Sequence, residues 1–377
     1  MPNYSGVWTL QEQYEAILEG NWPEIVRAEL YAWGSNGSGR LGDLTTINRS
    51  SPVQVGSLAG WSDISAGETT SLGVRSTGEV YAWGFGNDGR LGLNDTANRS
   101  EPTQIGALTN WSIVSAGSEA GSAIKTDGTL WAWGNNTNGT LGQNNTIARS
   151  SPVQIGALSN WSQLSMNKLS VLAINTSGEL YAWGNADNGL LGINSTAAKS
   201  SPTQVGALTT WSQVSCGKFH SAAVKTDGSL WTWGFNFFGG LGQNNTTTTS
   251  SPVQVGALTT WDSVAIGEYF SVAVKTDGTL WAWGWGSDGR VGDNSTVNRS
   301  SPVQIGSLTT WSSTSNKQKH TVAVKTDGTL WAWGDGNTGK LGQDSIVDSS
   351  SPVQIGSLGS WTQVSADGHS LATFRIT

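Results

Sequence analysis

Residues 211–242 read WSQVSCGKFHSAAVKTDGSLWTWGFNFFGGLG. WSQVS alternates apolar and polar residues, the period of a half-buried strand. Gly217 to His220 reads as a loop and SAAVK as a second strand. Asp227-Gly228 reads as a hairpin turn, because glycine tolerates the positive φ such turns require. SLWTWG is a third strand and Phe235 to Gly242 a glycine-rich loop. Segments of the type SPTQVGAL, as at 201–208, supply a fourth.

The same unit recurs every 50 residues without insertions. Trp-Gly returns at Trp33, Trp83, Trp133, Trp183, Trp233, Trp283 and Trp333, and a second tryptophan at Trp61, Trp111, Trp161, Trp211, Trp261, Trp311 and Trp361. Four short strands per unit at this period describe a β-propeller blade. The repeat runs from Ala28 to Thr377, and the ends are complementary. LATFRIT stops where the Asp-Gly turn would stand, and AELYAWG begins on the other side of it. The expected fold is all-β: a seven-bladed β-propeller over 28–377, closed by pairing of N- and C-terminal strands. Closure removes the open edge that would otherwise invite aggregation; a β-solenoid, the alternative, would not require the two ends to be complementary.

Composition narrows the function. The chain has 377 residues, 50 of them Gly and 21 Trp, with only 12% charged, against about 25% charged in an average domain. The tryptophans supply ample core, so disorder is excluded as the main state. No apolar run approaches the ~20 residues of a membrane helix. One Cys and three His exclude a disulfide scaffold and most zinc frameworks. A net charge of -7 argues against a nucleic-acid partner.

The pattern W-x-x-[VIL]-S-x-G-x-x-H-S-x-A-V-K-T-D-G-x-L-W-A-W-G-x-N-x-x-G-x-L-G resembles the regulator of chromosome condensation repeat over residues 28–377. The resemblance implies a seven-bladed propeller, and it implies that His220, His320 and the offset His369 belong to the repeat framework. Asp127, Asp227, Asp277 and Asp327 recur because Asp-Gly makes turns. Cys216 replaces Ala or Ile of other units and reads as a small buried hydrophobe. Loops such as QNNT lack the carboxylate density of calcium sites. The sequence thus predicts no catalytic residues, no metal and no cofactor.

Two stretches vary between units, and blade topology places both on one face. One precedes the second strand, as at Lys218-Phe219-His220 and Glu268-Tyr269-Phe270; the other follows Trp-Gly, as at Phe235 to Gly240 and Trp285 to Arg290. Loops on a rigid scaffold are where recognition usually resides. Large aromatics concentrate there in two adjacent units. Phe219, Phe235, Phe237, Phe238, Tyr269 and Trp285 are therefore the expected binding residues, with Phe270, which stands at the histidine position, the weakest member of the group.

Residues 1–27 lie outside the repeat. Thr9 followed by Glu12 resembles a capping box, predicting a short helix over Leu10 to Glu19 that ends near Gly20 and Pro23. So short a helix must dock on something, whether its own propeller, a partner or other copies. Trp8, Leu10, Tyr14, Ile17 and Leu18 are the expected anchoring residues. SGVWTLQEQYEAILEGNWP also resembles N-terminal leader segments of marine bacteriophage virion proteins, and no secretory signal peptide is evident. That resemblance implies a virion fibre or decoration protein, made in the host cytoplasm. Its arm would contact other virion proteins, and its variable face a host surface protein or glycan. The alternative is a bacterial protein-binding or inhibitor module, like the propeller-fold β-lactamase inhibitor of this repeat class. Nucleotide exchange, known among eukaryotic relatives, fits poorly with the acidic balance.

Overall fold

A computed structural model describes residues 27–376. The predicted arm helix and its anchoring residues lie outside the described residues. The rest forms seven four-stranded antiparallel sheets. Blade 4 shows the common plan: Trp211–Cys216, His220–Lys225, Leu230–Gly234 and Thr249–Gln254, in that order from the innermost strand outward. Blades 1 to 6 begin at Trp61, Trp111, Trp161, Trp211, Trp261 and Trp311.

Blade 7 is built from both ends of the chain. Trp361–Ala366 and His369–Ile376 pair with Arg27–Gly34 and Arg49–Ala59. The seam registers Arg27 with Ile376 and runs without a break to Gly34 opposite His369. The predicted complementarity of the two ends is what closes the ring.

Sequence alternation becomes packing between blades. Each central tryptophan from Trp33 to Trp333 is fully buried. Six of them donate their indole N–H to a carbonyl of the preceding blade's loop, at 2.8–3.2 Å from Trp33, Trp133, Trp183, Trp233, Trp283 and Trp333. Glycine is required where these loops cross: a Cβ on Gly242 (φ 69°) would stand 2.8 Å from the Trp283 indole nitrogen. The Asp-Gly turns are similarly tight, since a Cβ on Gly228 (φ 77°) would meet the Thr259 carbonyl oxygen at 2.3 Å.

A belt of serines ties the innermost strands together around the axis. Ser65, Ser115, Ser165, Ser215, Ser315 and Ser365 each accept a backbone N–H from the next blade, at 2.8–3.0 Å. Ala265 interrupts the belt between blades 5 and 6. Ser215→Ala should leave the Ile266 N–H without its acceptor and lower stability by about 1–3 kcal/mol. Ala265→Ser should leave it unchanged or raise it. Urea unfolding of the two variants measures both, and equal effects would show that the belt carries no stability.

Candidate functional site

The variable loops lie on one face, as blade topology requires. The link is direct: Phe235 N–H donates to the Phe219 carbonyl at 2.9 Å, and Trp285 N–H to the Tyr269 carbonyl at 3.0 Å. These bonds hold the two variable stretches of a blade side by side. Blade adjacency then brings Phe219, Phe235, Phe237, Phe238, Tyr269 and Trp285 into one continuous cluster.

Its geometry is layered. Phe219 stacks on Tyr269 with centroids 4.5 Å apart and planes 10° from parallel. Phe238 stacks on Trp285 at 4.9 Å and 15°. Tyr269 meets Phe238 and Trp285 edge-on at 5.1 and 5.4 Å. The Arg290 guanidinium lies 4.1 Å from the Trp285 centroid, and Lys218 Nζ 5.2 Å from that of Phe219. Edge-to-face and offset pairs of this kind add about 0.5–1.5 kcal/mol each beyond burial, so the rings reinforce one another's placement.

Exposure within the cluster is uneven. Phe237 is 67% exposed, while Phe219, Phe235, Phe238, Tyr269 and Trp285 are half-buried. Phe237 rests its ring edge-on against Phe238 at 5.1 Å. The corresponding positions elsewhere are Gly37, Asn87, Thr137, Asp187, Ser287 and Asn337. An exposed phenyl here is therefore a departure from the repeat and is not required by it. Phe270 does not belong to the surface: it is fully buried in the space that histidine fills in blade 4.

Arg290 is a supporting residue that the sequence reading did not single out. It is fully buried beneath Trp285, paired with Asp288 and donating Nε to the Ser287 carbonyl at 2.9 Å. Beside the patch, Lys218 and Glu268 form an ion pair at 2.7 Å. That contact and desolvation act on the Lys218 ammonium in opposite directions, and its pKa is raised.

The axial channel carries a second polar group that sequence reasoning missed. Lys317 occupies the position of Gly67, Gly117, Gly217 and Gly267. Its ammonium crosses the channel from blade 6 to the Ala116 carbonyl at 2.7 Å and the Ala66 carbonyl at 3.3 Å. Burial lowers the Lys317 pKa and raises that of neighbouring Asp367 to about 7. Comparing units at the framework glycine, as well as at the loops, would have exposed both residues.

The histidines are framework residues. His220, His320 and His369 are fully buried, each with Nε2 against a serine hydroxyl of the next blade: Ser271 at 2.9 Å, Ser370 at 2.7 Å and Ser71 at 2.6 Å. Those hydroxyls donate onward to the carbonyls of Gly240, Lys340 and Arg40. Each serine proton is thereby used, so Nε2–H is the donor to serine and Nδ1 is left without a partner. Cys216 is buried, with its thiol pushed up to about 11 by desolvation. Among the described residues no three His, Cys, Asp or Glu side chains converge as a metal site.

Comparison with known proteins agrees with this architecture. The RCC1-like domain family matches residues 123–372, and the regulator of chromosome condensation (RCC1) repeat matches 28–74 and 77–124. The structure of human WBSCR16 is 21% identical over 92% of this chain and 98% of its own, with a TM-score of 0.82. Prp20p from Saccharomyces cerevisiae is 20% identical over 93% of this chain and 92% of its own, with a TM-score of 0.81. No curated protein matches. With its repeat, its seven blades and a domain match over most of its length, the chain belongs to the RCC1-like propeller family.

Proposed function

We propose that this protein is a non-enzymatic recognition module that binds another protein through the aromatic patch of its loop face. The observation that carries the reading is Phe237, two-thirds exposed on a pedestal of stacked rings. Aromatic anchors that enter a partner's pocket dominate many protein interfaces. A glycan platform needs open ring faces, whereas Tyr269 and Trp285 already carry Phe219, Phe238 and Arg290 on theirs. The patch therefore favours a protein surface with an apolar pocket over a sugar. Protein partners also fit the fold class: yeast Prp20p has been studied for its binding to Gsp1p and histones and in complex with Kap60. A catalytic reading finds no support in the buried, neutral histidines or the buried thiol.

The setting we propose is a bacteriophage particle, with the chain as a fibre or decoration component that turns the patch toward a host surface protein. The support is the likeness of residues 5–23 to virion leader segments. Particles carrying Phe237→Ala should adsorb to host cells about 30-fold less well, the equivalent of ~2 kcal/mol at a hot spot. Thr137→Ala, at the same loop position in blade 2, should adsorb normally. Unchanged adsorption by the Phe237 variant would remove the patch from the interface. Absence of the chain from purified particles would remove the virion setting.

A further inference from the structure

Polar ties between neighbouring blades come from four positions of the repeat. The belt serine bonds the next blade's inner strand at six boundaries. Two residues before it, Asp63, Gln213 and Gln363 reach the Val114 N–H, the Val264 N–H and the Ser62 carbonyl of the next blade at 2.8–3.0 Å. A histidine meets the next blade's serine at three boundaries. Arg40 and Arg90 donate Nη1 to the Glu68 and Ser118 carbonyls of the next blade, at 2.7 and 2.9 Å.

Between blades 5 and 6 all four ties are missing among the described residues. Ala265 stands in the belt. Ser263 is shorter than Gln213, its counterpart, and its Oγ is buried without a partner. Phe270 takes the histidine's place, and fully buried Thr321, in the serine's place, has Oγ1 unbonded. The Gln318 carbonyl, counterpart of those of Glu68 and Ser118, accepts the Glu268 N–H at 2.9 Å instead. Arg290 Nη1, fully buried, is left with no partner. Asn316 completes the set. Its counterpart Cys216 meets Ser170, at the histidine position of the preceding blade, at 3.1 Å. Asn316 has Phe270 at that position, and both of its buried amide atoms are unpaired. Buried polar groups without partners disfavour the closed arrangement, because water would satisfy them.

What still crosses this boundary is chiefly apolar packing, in which Phe270 and Val272 share a cluster with Trp333, together with the Trp333 N–H bond to the Arg290 carbonyl at 3.2 Å. The two blades are held firmly on their other sides. Gln213, Ser215 and His220 all tie blade 4 to blade 5. Lys317 fixes the inner end of blade 6 across the channel to carbonyls of blades 1 and 2. We propose that the ring parts locally at the inner edges of blades 5 and 6, with blade 5 moving together with blade 4 while the other boundaries stay closed. Local opening is drawn from the parts of a fold with the fewest satisfied contacts. The joint lies beneath one flank of the aromatic patch, since the Arg290 guanidinium is 4.1 Å from the Trp285 centroid and 6.0 Å from that of Phe270.

The chain's single cysteine supplies the probe. Cys216→Ala with Asn316→Cys moves the thiol to the same repeat position at the joint. Cys216→Ala with Ile266→Cys moves it to the fully tied boundary between blades 4 and 5. Under native conditions iodoacetamide should label position 316 about 10-fold faster than position 266. Adding Ala265→Ser and Phe270→His to the first protein restores residues that the repeat uses elsewhere, and should slow its labelling to the rate at 266. Adding Ser215→Ala and His220→Phe to the second copies the joint to the neighbouring boundary, and should raise its rate. Circular dichroism confirms that each protein is folded. Equal rates at 316 and 266 would overturn the proposal. So would a rate at 316 that the restoring pair leaves unchanged, or a rate at 266 that the copied joint fails to raise.

Discussion

Truncation after Gly368 is expected to leave no cooperatively folded propeller, the largest effect that any change of comparable size should have. The strand His369–Ile376 is the second of its blade, paired on both sides. Its removal strips eight residues of partners from Arg27–Gly34 and exposes an edge on each side of the gap. It also removes the fully buried Leu371 and Ala372 from the core and breaks the His369–Ser71 bond to blade 1. Each lost backbone bond costs about 0.5–1.5 kcal/mol, and each large buried side chain about 1.5–3 kcal/mol. Those losses together exceed the 5–15 kcal/mol that typically separates a domain from its unfolded state. Deletion of residues 1–26 touches none of these contacts and should leave a folded disc. Thermal unfolding followed by circular dichroism compares the two truncations. A sharp transition near the parent temperature in the chain ending at Gly368 would mean that the ring holds without its seam.

The same seam shows why the fold was legible in the sequence. A strict period carries strand length, turn chemistry and blade count together, and the phase of the two ends fixes closure. The patch was legible for a related reason. Phe237 and Phe238 break a loop that other units fill with small or polar residues, and topology alone puts neighbouring loops together. Which ring protrudes was not legible. It depends on Phe238 lying flat on Trp285 and on Arg290 filling the space beneath, both tertiary outcomes. The channel lysine escaped notice because one Gly-to-Lys change at a framework position looks like drift until its ammonium is seen to reach carbonyls two and three blades away.

Acidification below neutrality is expected to destabilise the protein through its histidines, with two buried carboxyls opposing the loss. Burial pushes His220 and His320 down to about 3 and His369 well below its ordinary value. The cause is desolvation of the fully buried rings, and each Nδ1 also has no hydrogen-bond partner there. The unfolded chain takes up these protons near pH 6.5 and the native one does not. Their stability is therefore fully present above about pH 6.5 and lost as pH falls toward 3, at about 1.4 kcal/mol per pH unit for each proton. Desolvation raises Asp63 to about 6 and Asp367 to about 7. These two act in the opposite sense, because the native state holds their protons between about pH 4 and 7 while the unfolded chain has released them. Near pH 5, three histidine protons favour the unfolded chain and two carboxyl protons favour the native one. The net loss is then about 1.4 kcal/mol per pH unit. Replacing both carboxyls, Asp63→Asn with Asp367→Asn, removes the counterweight and should steepen the fall to about 4 kcal/mol per unit. Urea midpoints taken between pH 5 and 8 read both slopes. The blade that already carries Phe270 supplies the converse test, since His320→Phe should remove one proton from the balance and flatten the profile of the parent chain. A stability that is level from pH 7 to 5 in the double variant would contradict the neutral, singly bonded state of the histidines.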